Sequence, residues 1–104
     1  MNELIDKIEE GISQLLRYDT KSFGESAHDI VNTMMTMLPV IISCYNDPKM
    51  SDVREDALYW PGQLERIINV LEKDDSFELA DVFYNETRPN LIELRDMLVK
   101  RGLS

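Results

Sequence analysis

Along most of the chain, apolar residues recur every three or four positions, the period of helices that share a core. The pattern is densest from Met34 to Tyr45, MMTMLPVIISCY, where only Thr36 and Ser43 interrupt it. These twelve residues fall short of the ~18–20 that a membrane span requires. The run therefore predicts a core helix buried over most of its circumference, Leu38 and Ile41 included, with other helices packed around it.

The first helix is predicted from Asn2 to Tyr18, with Leu4, Ile5, Ile8, Ile12, Leu15 and Leu16 forming one stripe. Gly11 interrupts this stripe at a cost of roughly 1 kcal/mol against Ala. After the short connection Asp19-Thr20-Lys21, Ser22-x-x-Glu25 reads as a capping box that opens the second helix. Pro39 lies inside that helix and predicts a kink, and Asn46-Asp47-Pro48 ends it. The third helix is predicted from near Ser51. Val53, Ala57, Trp60, Leu64, Ile67, Ile68 and Leu71 keep one phase across Pro61-Gly62, which favours a kinked helix over two pieces joined by a turn. Asp75-x-x-Glu78 announces the fourth, with Ser76 as the alternative cap, and its stripe is Phe77, Ala80, Tyr84, Leu91, Leu94 and Leu98, with Thr87 in the missing slot. Gly102 and Leu103 supply a Schellman ending. No strand-like alternation occurs. The expectation is all-α: one domain over residues 1–104, an antiparallel up-down-up-down four-helix bundle with proline-kinked helices.

The last helix and the turn before it carry Leu71-Glu72, Asp75, Leu79-Ala80-Asp81, Glu86, Pro89 and Leu91. This pattern, LExxDxxxLADxxxxExxPxL, resembles that of small acidic helical proteins of unknown function from Firmicutes-type bacteria. The resemblance implies a bacterial helical bundle and brings no catalytic residues with it.

Twenty carboxylates against eleven Lys and Arg give a net charge of −9. Such a surface disfavours nucleic acid and anionic lipid, both of which are bound through basic groups. The charged N-terminus MNELIDKIEE lacks the apolar segment of a secretory signal. The lone Cys44 has no partner for a bridge, so a reducing, cytoplasmic setting is expected.

Candidate chemistry is sparse. Glu25-x-x-His28 has the spacing of di-iron bundles, but that site uses two histidines and this chain has one. Neither a Ca²⁺ loop nor a phosphate-binding Gly-rich loop is present. Cys44 has no basic neighbour in sequence to activate it. The six Met residues suit core packing better than a haem or peptide groove. No catalytic residue, metal or cofactor is expected.

Two collective features stand out. In an up-down bundle, one pole gathers Asp19, Glu25, Asp29, Glu72, Asp74, Asp75, Glu78 and Asp81 against Arg17, Lys21 and Lys73. This acidic pole is a candidate surface for a basic protein partner. From the opposite pole, Pro39, Pro61 and Pro89 fall at neighbouring levels, roughly 10–18 Å in at ~1.5 Å per residue. Kinks there would open a waist beside Tyr59 and Trp60, a candidate pocket. The leading expectation is a non-catalytic interaction module, adaptor or chaperone-like. A small-molecule or metal-binding bundle is the alternative.

Overall fold

A computed structural model describes residues 1–103. Its architecture is all-helical: four helical units, with no strand among the described residues, pack around one apolar core. α1 spans Asn2–Leu16 and α2 spans Thr20–Cys44. A 3₁₀ segment, Pro48–Leu58, runs directly into α3, Tyr59–Glu72. The last unit is composite: α4, Ser76–Val82, a π turn, Phe83–Thr87, and α5, Arg88–Lys100.

α1 presents Leu4, Ile5, Ile8, Gly11 and Leu15 to the core. Ile12 is half-buried, and Leu16, expected on the stripe, is 76 % exposed. Gly11 faces α2: a Cβ there would meet Phe23, Ser26 and Ile30 at 3.6–3.7 Å, ordinary van der Waals contact. The helices are also joined by Ser26 Oγ donating to Gln14 Oε1 (2.7 Å) and by the Lys7–Asp29 pair (2.9 Å).

α2 starts earlier than its sequence suggests. Its cap is Asp19, whose carboxylate accepts the Ser22 backbone N–H at 3.1 Å, so Ser22 is a first-turn donor and not the cap. Phe23, Ala27, Ile30, Val31, Met34 and Ile41 form its buried face. The Met34–Tyr45 run is not enclosed on most sides: Met35 and Val40 are 55 % and 62 % exposed, and Leu38 is half-buried. Three companion units in a domain this small do not supply enough surface to surround a helix. α2 is also, among the described residues, the one helix long and apolar enough to cross a membrane, judged by length and composition.

The segment after Pro48 is 3₁₀ where an α-helix from Ser51 was expected. Asp47 seeds it, accepting the Lys49 N–H on its side chain (2.9 Å) and the Met50 N–H on its carbonyl (2.9 Å). Met50 is fully buried, and Val53 is half-buried three residues on. Such spacing suits the three-residue turn of this helix type. α3 then continues through Pro61-Gly62 without a break, because Pro61 lies in its first turn, where a missing N–H costs little.

In the last unit Asp75 caps α4, accepting the Glu78 N–H at 3.0 Å, and Gly102 adopts φ +75° with Leu103 N–H bonded to the Leu98 carbonyl at 2.8 Å. Between these ends the expected stripe holds at Ala80, Thr87, Leu91, Leu94 and Leu98 and fails at Phe77 and Tyr84. Phe77 and Tyr84 are 67 % and 49 % exposed, whereas Leu79, Val82 and Phe83 are buried. The π turn is the cause. The Arg88 N–H reaches back five residues to the Phe83 carbonyl, so one extra residue is absorbed ahead of Pro89 and the stripe upstream moves by one position. Thr87 is fully buried, its hydroxyl accepting from Gln63 Nε2 at 2.8 Å and lying 3.4 Å from the Val82 carbonyl.

Candidate functional site

The carboxylates assigned to the acidic pole divide into distinct local roles. Asp19 and Asp75 are helix caps, and hydrogen bonds from Ser22 hold the Asp19 carboxyl below its ordinary range. Asp74 occupies the α3–α4 turn with φ +57°. Glu78 pairs with Lys73 at 3.5 Å, and Asp81 accepts from Asn85. Glu25 is exposed. Asp29 pairs with Lys7 halfway along α1, at a distance from the α1–α2 turn, so it does not belong with the others. His28 is exposed, and no three His, Cys, Asp or Glu side chains converge as metal ligands among the described residues.

Two grooves flank α4. One, about 290 Å³, lies between the start of α2 and the α3–α4 turn, with Phe23, Ala27 and Leu79 on its floor and Glu72, Asp74 and Asp75 around it. The other, about 270 Å³, runs between the end of α1 and α4. Leu16, Phe77 and Tyr84 line this second groove, with Asp81 and Asn85 beside them. Arg88 lies 5.4 Å from the centre of the Tyr84 ring and pairs with Glu9 at 2.9 Å. The apolar members of this groove escaped the sequence reading, which placed all three inside. The available signal was Val82-Phe83, a second apolar phase next to Tyr84.

Tyr59 and Trp60 do line a cleft, of about 220 Å³, between the start of α3 and α5. Trp60 is 2 % exposed and packs edge-on to the Tyr59 ring, centroids 5.0 Å apart. Asn90 Nδ2 donates to the Tyr59 hydroxyl at 2.9 Å, and burial pushes the Tyr59 phenol up from its ordinary value. Tyr45, Asp56, Glu93, Leu94 and Met97 complete the lining; none was foreseen there, because they come from three different stretches of the chain.

Fold and surface thus define a small all-α bundle with grooves at one end and an aromatic cleft towards the other. No protein-family model, curated protein or solved structure matches the chain. Its function has to be argued from these surfaces.

Proposed function

We propose that this chain is a non-catalytic interaction module, adaptor or chaperone-like, that docks a basic amphipathic helix at its acidic end. The observation that carries the reading is the joint exposure of Leu16, Phe77 and Tyr84 along one groove. Contiguous exposed apolar side chains of this size mark interaction surfaces, and aromatic anchors dominate their energetics. A groove between two helices accepts the i, i+3, i+4, i+7 ridge of a third. Charge selects the partner: Asp19, Glu25, Glu72, Asp74, Asp75, Glu78 and Asp81 stand at this end against Arg17, Lys21 and Lys73. Like charge disfavours a second copy of the chain and favours a cationic segment.

The reading includes an antiparallel, up-down-up-down course for the four units, with bends near the prolines. Cross-element pairs support it: Lys7–Asp29 and Gln14–Ser26 between α1 and α2, Tyr59–Asn90 and Arg66–Glu86 between α3 and the last unit, Asn2–Arg95 and Glu9–Arg88 between α1 and α5. In each couple, rising numbers on one side meet falling numbers on the other. A cytoplasmic setting goes with the reading, since Cys44 is a free thiol, and a bacterial one rests on the resemblance carried by Leu71 to Leu91.

A fluorescently labelled helical peptide with leucines on one face and lysines on the other tests the proposal by stopped-flow and equilibrium anisotropy. Phe77→Ser/Tyr84→Ser is expected to weaken binding at least tenfold, as loss of an aromatic hot spot does. Asp74→Asn/Asp81→Asn is expected to slow association and flatten its salt dependence, because screening shortens the Debye length from ~10 Å at 0.1 M to ~3 Å at 1 M. Glu55→Gln/Glu65→Gln, which changes exposed carboxylates outside the acidic end, serves as control. Equal affinities and salt slopes across all three pairs would refute the assignment.

A further inference from the structure

The aromatic cleft is chemically unlike the grooves. Its innermost polar group is Tyr45, 4 % exposed, whose hydroxyl oxygen accepts Trp60 Nε1–H at 3.0 Å. That bond fixes the phenol but leaves its own proton without a protein acceptor among the described residues. Asp56 and Glu93 stand on the lining, and neither takes part in an ion pair or side-chain hydrogen bond among the described residues. No Lys, Arg or His lines the cleft. Arg54 and Arg101, borne on the neighbouring 3₁₀ segment and at the end of α5, are held elsewhere. Arg54 Nε donates to the Tyr45 carbonyl at 3.0 Å, and Arg101 Nη2 donates to Asp52 at 3.0 Å.

We propose that this cleft binds a small organic ammonium ion carrying a hydroxyl or ether oxygen. The cation sits between Asp56 and Glu93, its carbon stem lies against Trp60 and Met97, and its oxygen accepts the Tyr45 proton. An anion is excluded by two carboxylates with no cation opposing them. A hard metal ion takes six or more oxygens, and these two carboxylates do not supply such a set. Tyr59, the exposed aromatic on the lining, instead suits an organic cation, whose charge is attracted to aromatic rings. Size narrows the class. At about 220 Å³ the cleft falls below the ~300 Å³ where drug-sized pockets begin.

Choline is the probe, and its neutral carbon isostere 3,3-dimethylbutan-1-ol is the control, both at fixed ionic strength. Trp60 is the sole tryptophan, so one indole N–H cross-peak in a ¹H–¹⁵N spectrum reports on this cleft. Choline is expected to shift that peak saturably and the isostere to leave it in place. Asp56→Asn/Glu93→Gln, both at exposed positions, is expected to weaken choline at least tenfold while the remaining spectrum shows the fold intact. A Trp60 peak that does not move, that moves equally with the isostere, or that responds undiminished in the double variant would overturn the proposal.

Discussion

α2 and the last helical unit each carry a proline, and they absorb it in opposite ways. In α2 the helix passes Pro39 with its register intact, and Met34, Ile41 and Tyr45 remain on one buried face. The carbonyl that loses its donor belongs to Met35, an exposed residue, so water can take the bond. In the last unit the chain inserts a π turn immediately before Pro89, and the buried face upstream shifts while keeping Ala80. Phe83 enters the core; Phe77 and Tyr84 leave it. A proline tolerated in place is a local matter. One accommodated by an extra residue decides which aromatic side chains meet solvent, and here it supplies two of the three apolar members of the candidate docking groove.

The contrast is broken most severely at the adjacent aromatics. Phe83→Ala is expected to cost about 3–5 kcal/mol, the usual range for a buried phenylalanine. Tyr84→Ala is expected to cost about 0.5–1 kcal/mol, the value of an exposed contact such as that with Arg88. Urea melts of the two variants measure the difference. Similar losses would mean that Tyr84, not Phe83 alone, belongs to the core.

The prolines come next. Pro39→Ala is expected to stabilise by about 2 kcal/mol, since an interior helical proline costs ~3 and its removal returns up to ~1 of unfolded-state entropy. Pro89→Ala is expected to stay within about 0.5 kcal/mol, because Pro89 is already in the first turn of α5. Thermal melts of both variants provide the check. A destabilising Pro39→Ala would mean that the core depends on the proline's own geometry.

Thr87→Val is expected to cost about 1–2 kcal/mol, by leaving Gln63 Nε2 buried without an acceptor. Replacing Gln63 with Leu in the same chain should recover part of that loss, because both polar partners are then gone. A loss from Thr87→Val that Gln63→Leu does not reduce would show that the pair itself is not what anchors the π turn to α3.

Much of the fold can be read from the residues, for a physical reason in each case. Caps at Asp75 and Gly102 depend on side chains two or three positions away, and the α1 and α2 stripes depend on one period. What escaped reading depends on choices between near-equal local states. The 3₁₀ segment after Pro48 and the π turn before Pro89 differ from an α-helix by one hydrogen-bond register, and no single residue announces either. The acidic pole was legible at Asp75, which caps α4 as its spacing from Glu78 suggests, but the capping role of Asp19 was given to Ser22, three residues on, because either side chain can open a helix. It was misread at Asp29, because pairing with Lys7 depends on how α1 and α2 cross. Tyr59 and Trp60 were found through the prolines beside them, while Asp56 and Glu93 reach the cleft only through the tertiary fold.

The π turn's control over aromatic exposure is tested most directly by thiol labelling. With Cys44 replaced by Ala, single cysteines are placed at Phe77 and Tyr84, at exposed Leu16 and at buried Ala80. Phe77→Cys and Tyr84→Cys are expected to react within severalfold of Leu16→Cys. Ala80→Cys should lag by on the order of a hundredfold, since it waits for local opening. If Phe77→Cys and Tyr84→Cys instead prove as protected as Ala80→Cys, the last unit keeps an unbroken α phase through Pro89 and the groove as described does not exist.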